Sequence, residues 1–178
     1  MSTKLNKAFL AILFLILIGC EQSIESDKIK RINGLYVYAG SGEPLDGKYR
    51  CATPIGGTYD GDHVSTFEYD DGIPVGEWTY TFNGDPIHSG KYVKEPTIQA
   101  DLQTITDSKR VDLDLWEEGG YSMLTIDLVQ PQNTDSVSLK ELEKTLKDKL
   151  LKRHECKIVF VESVTDQEEK RLFEMNLE

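Results

Sequence analysis

Apolar residues in this chain follow three different rhythms. From Ala8 to Ile18 they run without a break behind Lys4 and Lys7. That run has the length of a signal-peptide core, ~7–15 residues, and falls short of the ~20 needed for a helix to cross a bilayer. From residue 33 onward, aromatic and aliphatic residues alternate with polar ones between glycine-rich turns, as in Gly34-Leu-Tyr36-Val-Tyr38 and Thr66-Phe67-Glu-Tyr69. A period of two is that of a half-buried strand. The same period returns in Val111, Leu113 and Leu115, separated by Asp112 and Asp114, and again in Leu124, Ile126 and Leu128. The turn Glu118-Gly119-Gly120 joins these runs into a hairpin, with its acids expected on a solvated face.

The third rhythm is helical. Leu139, Leu142, Leu146 and Leu150 recur at the spacing of one helix face, and Ser138 with Glu141 has capping-box spacing. This helix is expected to end near Arg153. Ile158-Val-Phe-Val161 is apolar on both faces, the mark of an interior strand. Phe173, Met175 and Leu177 alternate as an edge strand, although Thr165 and Glu168 also offer a cap for a short helix; the strand reading is preferred. Pro96 and the polar stretch 97–107 read as a junction. The fold expected is therefore α+β and mostly β. An aromatic, glycine-rich antiparallel hairpin segment (33–95) precedes a small β-β-α-β segment closed by a last strand (96–178). Residues 1–19 form a leader, and 20–32, polar and nearly free of apolar residues, form a flexible tether.

Charge narrows the partners. The 178 residues carry 20 Lys and Arg against 31 Asp and Glu, a net charge of −11. The leader holds Lys4 and Lys7 and no acid, so its removal takes the charge from −11 to −13. Nucleic-acid phosphates need a concentrated basic surface, so nucleic acid is not an expected partner. An acidic body suits a basic protein partner, such as a toxin neutralised by an immunity-type protein, and would be held off anionic lipid.

The end of the leader gives the address. Leu17-Ile18-Gly19-Cys20 resembles the lipobox of bacterial lipoproteins. The resemblance implies diacylglycerol on the Cys20 thiol, cleavage before Cys20 and acylation of the new amino terminus. It implies no other cofactor. Two or more acyl chains, at ~0.8 kcal/mol per buried CH₂, anchor stably in a bilayer where one does not. The implied location is a membrane of the cell envelope, with the outer membrane preferred, on its periplasmic face or at the cell surface.

Three stretches share a second pattern: Tyr38 to Tyr49 around Gly42, Pro44 and Gly47; Tyr69 to Tyr80 around Gly72, Pro74, Gly76 and Trp78; and Phe82 to Tyr92 around Gly84, Pro86 and Gly90. Each reads as strand, tight turn and return strand, with glycine supplying positive φ. Together they resemble divergent MORN-type repeats, although 51–63 fits no clean unit. The resemblance implies β-hairpin spacers or interaction surfaces and no catalytic residues. Tyr38, Tyr69, Trp78, Tyr80 and Tyr92 are the rings it offers to a partner, another envelope or surface protein.

Reactive side chains add little. Cys51 and Cys156 are either a disulfide of an exported protein or two separate buried thiols. His63, His88 and His154 lack zinc-ligand spacing, and no metal or cofactor is expected. Asp112 with Asp114, and Glu117 with Glu118, are neighbours on one chain segment, which does not place two carboxylates across a glycosidic bond. The sequence thus predicts a membrane-anchored, non-enzymatic interaction module. The competing reading is a carbohydrate-binding or hydrolytic envelope protein that stacks sugars on Trp78, Tyr80 and their neighbours.

Overall fold

The computed structural model describes residues 21–53, 63–118, 120–165 and 168–176. Cys20, the lipobox and the leader lie outside the described residues, as do Gly119 and Leu177. The strands are β1 (Gln22–Glu25), β2 (Ile29–Ile32), β3 (Leu35–Tyr38), β4 (Gly47–Thr53), β5 (His63–Asp70), β6 (Ile73–Phe82) and β7 (Asp85–Tyr92). Helix α1 (Pro96–Thr106) follows, then β8 (Arg110–Glu118), β9 (Tyr121–Val129), helix α2 (Ser136–Thr145), β10 (Ile158–Val164) and β11 (Glu169–Asn176). The fold is α+β and mostly β.

Among the described residues, nine strands form one sheet in the order β1-β4-β5-β6-β7-β8-β9-β10-β11, while β2 and β3 pair only with each other. The expected boundary at 95/96 falls inside this sheet, because β7 pairs with β8 from Ser89 opposite Glu117 to Tyr92 opposite Asp114. The second and third repeat stretches are hairpins. Asp71-Gly72 and Asn83-Gly84 both sit at positive φ, so each joins its strands through a two-residue turn whose twist matches that of the strands. The first stretch differs: β3 pairs with β2, β4 pairs with β1 and β5, and residues 39–46 cross between the two layers. Leu45 in that crossing is completely buried, and its backbone N–H donates to Tyr36 O. Burying this leucine between layers explains the departure from a plain hairpin.

Three other expectations give way to the structure. The segment 22–32, expected as tether, supplies β1 and β2, because Ile24 and Ile29 pack on the Leu45–Tyr49–Tyr69 cluster. Two apolar residues among many charges suffice when each pairs with a strand. The polar junction at 97–107 is helix α1. Pro96 opens it, Ile98 and Leu102 are buried, Ile105 packs beside them, and Asp107 ends it at φ 48°. Three apolar residues at i, i+4 and i+7 carry the whole face. Helix α2 starts earlier than the expected capping box. Its cap is Asp135, whose carboxylate accepts from the N–H groups of Val137 and Ser138, and Ser138 is buried inside the helix.

Helix α1 and helix α2, the latter continued by a π-helical turn (Leu146–Leu150), cover one face of β8–β11. Val111, Leu113, Leu124, Ile126, Leu128, Val159 and Val161 meet Ile98, Leu102, Leu142, Leu146 and Leu150 there. β10 lies between β9 and β11 as an interior strand, and 169–176 is the edge strand. Strand parity sends Asp112, Asp114, Asp127, Trp78, Tyr80, Tyr92, Trp116 and Phe160 to the opposite face. That second face carries the site.

Candidate functional site

The β2–β3 hairpin lies across one end of the second face, and a charge network fastens it. Arg31 on β2 reaches Glu169 (2.7 Å), Asp127 (3.5 Å) and Asp112 (4.0 Å), with its guanidinium 5.0 Å from the centre of the Tyr36 ring. Arg110 grips Asp112 through two bonds of 2.7 Å and donates a third to the Gly34 carbonyl in the hairpin turn. A side chain at Gly34 would collide with Val129, so glycine lets the turn lie flat on β9. The expectation that Asp112 and Asp114 face water is therefore corrected: Asp112 is 7% exposed. The pattern rule assumes one wet face, and here both faces are covered. Burial outweighs the shared Arg31 at Asp127 and pushes its carboxyl up to about 7. Arg31 is shared with Glu169 and Asp112, so its pull on Asp127 does not offset that burial.

The other end of the second face is uncovered among the described residues. Aromatic rings cross it strand by strand. Phe82 meets His63 at 4.7 Å between centres, His63 meets Tyr80 at 5.5 Å, and Tyr80 stacks on His88 at 6.0 Å. Trp116 touches His88 edge-on and stacks on Phe160 at 6.3 Å, and Arg171 caps Phe160 at 4.0 Å. The hydroxyl of Tyr80 also bonds His63 Nδ1. Behind this row, Trp78 stacks on Phe67 and stretches over Gly90 to donate its indole N–H to Asp114 at 2.7 Å. Burial raises the Asp114 carboxyl to about 6, against the lowering effect of that hydrogen bond. Gly90 is the gap that permits this reach: a Cβ there would sit 2.7 Å from both the Trp78 ring and Trp116 Cβ.

This contact yields a prediction. Gly90→Val should displace both tryptophans, cost about 1–3 kcal/mol by overpacking, and shift tryptophan emission towards solvent. Urea unfolding and emission spectra check it, and an unchanged spectrum would contradict the packing described.

Between β2 and the sheet lies a cavity of about 320 Å³, lined by Ile29 and Arg31 above and by Cys51, Ser65, Phe67 and Tyr92 below. Its size is that of a small ligand site or of a few inserted side chains.

The rings singled out from sequence divide between the two ends. Tyr38 bonds Tyr49 and Gln22, and Tyr69 is buried against Tyr36 and Tyr49, so both belong to the covered end. Tyr92 faces the second face beside Asp114 and lines the cavity, while Trp78 and Tyr80 belong to the open end. Cys51 and Cys156 are free, buried thiols, the second lying in the helix-side core. Six strand spacings of ~4.8 Å separate β4 from β10, far beyond disulfide reach. Burial pushes both thiols up, Cys156 to about 11, so neither is poised as a nucleophile. Sequence reasoning passes over His63, His88, Trp116 and Phe160 as members of one surface. Trp116 and Phe160 stand at the parity opposite to the core residues of their strands, and that is the signal the sequence holds for them.

No protein family, curated protein or solved structure matches this chain.

Proposed function

We propose that this chain is a lipid-anchored protein of the bacterial cell envelope, held through acylated Cys20, whose folded part binds another envelope or surface protein rather than catalysing a reaction. The observation that carries this reading is directional. β1 begins at Gln22, two positions after Cys20, and runs parallel to β4 with Gln22 opposite Tyr49 and Glu25 opposite Ala52. Chain connectivity from Gln22 would put an anchor at Cys20 toward the Gly47 end of the sheet, the end the β2–β3 hairpin covers. The open aromatic end, from His63 and Phe82 to Glu118, points away from it. Two residues span ~7 Å at most, so the body would stand close to the membrane with its apolar surface outward.

The alternative of sugar stacking draws on the same rings. Several of them, however, turn their faces on each other: Tyr80 and His88 lie at 18°, and Trp116 and Phe160 at 23°. Stacked rings leave edges for a partner rather than open platforms, which favours a protein.

The anchor is tested by labelling cells with radioactive palmitate. Cys20→Ala should abolish incorporation and retain the uncleaved leader, and labelling that persists would defeat the reading. The interaction half is tested by placing a photo-crosslinking residue at Tyr80 in the lipidated protein and irradiating intact membranes. A discrete adduct is expected, and its absence counts against the module.

A further inference from the structure

We propose that the free edge of β2 receives an extended, cationic segment of the partner as an added strand, laid over the aromatic floor of the open end; this rests on the interaction reading above. Hairpin geometry defines the edge. The two-residue turn Asn33-Gly34 makes Ile32 and Leu35 a hydrogen-bonded pair, so the next pair, Arg31 opposite Tyr36, turns its backbone groups outward. Arg31 thus offers an N–H and a C=O to a neighbour, and Ile29 a C=O, its own N–H being closed on Ser26 O. The outer side of β3 is already taken: the Tyr36 N–H donates to Gly72 O, the Tyr38 N–H to Glu43 O, and Leu45 donates back to Tyr36 O. Of the hairpin's two outer sides, the β2 side is therefore the one left for addition among the described residues, and it faces the open end.

The space beneath suits a strand. The 320 Å³ cavity opens under Ile29 and Arg31, with Ser65 and Phe67 as its floor, next to Trp78. Side chains pointing down from an added strand would enter it at every second residue. Two buried nitrogens without a hydrogen-bond partner among the described residues lie on this face, Arg31 Nε and His88 Nδ1. Buried polar atoms of this kind are uncommon, and a ligand's carbonyl is a natural partner for the guanidinium.

Charge chooses the occupant. Asp85 and Glu118 are exposed at the open end. Of the cations there, Lys157 sits 4.6 Å over Tyr121 and Arg171 is paired with Glu162 and Glu174, while Lys30 of β2 is exposed beside the cavity. With a net charge of −13 on the chain without its leader, Asp85 and Glu118 favour a segment that alternates apolar residues with Lys or Arg.

The two tryptophans of the chain, Trp78 and Trp116, both lie in the floor, so their emission reports occupancy of the full-length protein in detergent micelles. A short synthetic peptide of alternating valine and lysine should bind saturably, shift the emission and protect the Arg31 amide from hydrogen exchange. Its valine–glutamate counterpart should bind at least ~10-fold more weakly. N-methylation of one alternate set of peptide amides should weaken binding by ~10-fold or more, and methylation of the other set should not, because only one edge of an added strand meets β2. Phe160→Ala, which keeps both tryptophans, should weaken binding several-fold.

Equal sensitivity to the two methylation sets, or no saturable shift with any peptide, would overturn strand addition. So would a concentration-dependent dimer that excludes the peptide, which assigns the edge to a second copy, or an emission shift produced by cellohexaose, which assigns the floor to glycan. If the peptides fail while the Tyr80 crosslink persists in membranes, strand addition falls and the interaction module stands. If both fail, the module falls as well.

Discussion

Arg31→Met is expected to cost roughly 3–5 kcal/mol of unfolding free energy, measured by urea denaturation. Methionine fills much the same volume, so the loss is electrostatic rather than a cavity. The guanidinium is 12% exposed and stands between Glu169, Asp127 and Asp112. Its removal leaves Asp127 buried and unpaired, and Asp112 with Arg110 as its one cation. The double variant Arg31→Met with Asp127→Asn should recover about 1–2 kcal/mol, because the uncompensated charge is then gone. The effect should also be local. Hydrogen exchange in β2 and β3 should accelerate strongly, while Ile126 and Leu128, sealed under the helices, stay protected. A loss below ~0.5 kcal/mol would mean that the hairpin is held by Leu45, Tyr36 and Tyr69 alone.

The same network explains what can and cannot be read from sequence. Wherever one residue type dictates backbone or parity, the reading is direct. Asp71-Gly72 and Asn83-Gly84 specify tight turns, and the leucines 142, 146 and 150 specify a helix face. Val159 and Val161 on one face with Phe160 on the other specify an interior strand. Legibility ends where an element is stabilised by partners far away in the chain. Nothing local in Ile29-Lys30-Arg31-Ile32 distinguishes a strand from a solvated tether; its anchor, Arg31, meets carboxylates about a hundred positions later. Asn33-Gly34 is nonetheless a strong hairpin signal, and it stands between two aliphatic residues, Ile32 and Leu35.

Reading residues 20–32 as a tether also hides the site. Without a hairpin over the second face, Asp112 and Asp114 look solvated, and Trp116 looks like an isolated exposed ring. Once the hairpin is in place, the second face divides into a fastened end and an open end. Their common border is the edge of β2, so the charge network that clamps the hairpin also fixes the position of that edge. A surface assembled from β2, β5, β6, β7, β8 and β10 has no contiguous motif. Only the pairing order gathers Phe67, Trp78, Tyr80, His88, Trp116 and Phe160 onto one surface.

Acidification to about pH 5 is expected to stabilise the fold relative to pH 8, the reverse of an ordinary protein held by ionised carboxylates. Asp127 is raised to about 7 and Asp114 to about 6 in the folded state, against ~3.9 for an unfolded aspartate. Between these limits the folded chain holds more protons than the unfolded chain, so stability falls as pH rises. Each unit of displacement corresponds to ~1.4 kcal/mol, so the two groups together lower stability by on the order of 3–6 kcal/mol between about pH 4.5 and 8. Asp135 acts in the opposite sense, its carboxylate being favoured by the helix-start N–H groups, but that contribution is lost only as pH falls below the ordinary aspartate range. Asp127→Asn should flatten the upper part of the profile and Asp114→Asn the lower part. Asparagine at 114 can still accept the Trp78 indole proton, so the tryptophan emission should hold while the pH slope goes. Because Asp127 is protonated in acid, Arg31→Met should cost least at about pH 5 and most at about pH 8. Unfolding curves across this range settle the matter. Stability that climbed with pH, or asparagine variants that kept the wild-type slope, would show that these carboxylates are ionised in the folded protein, Asp127 through a firmer hold by Arg31 than its distance allows.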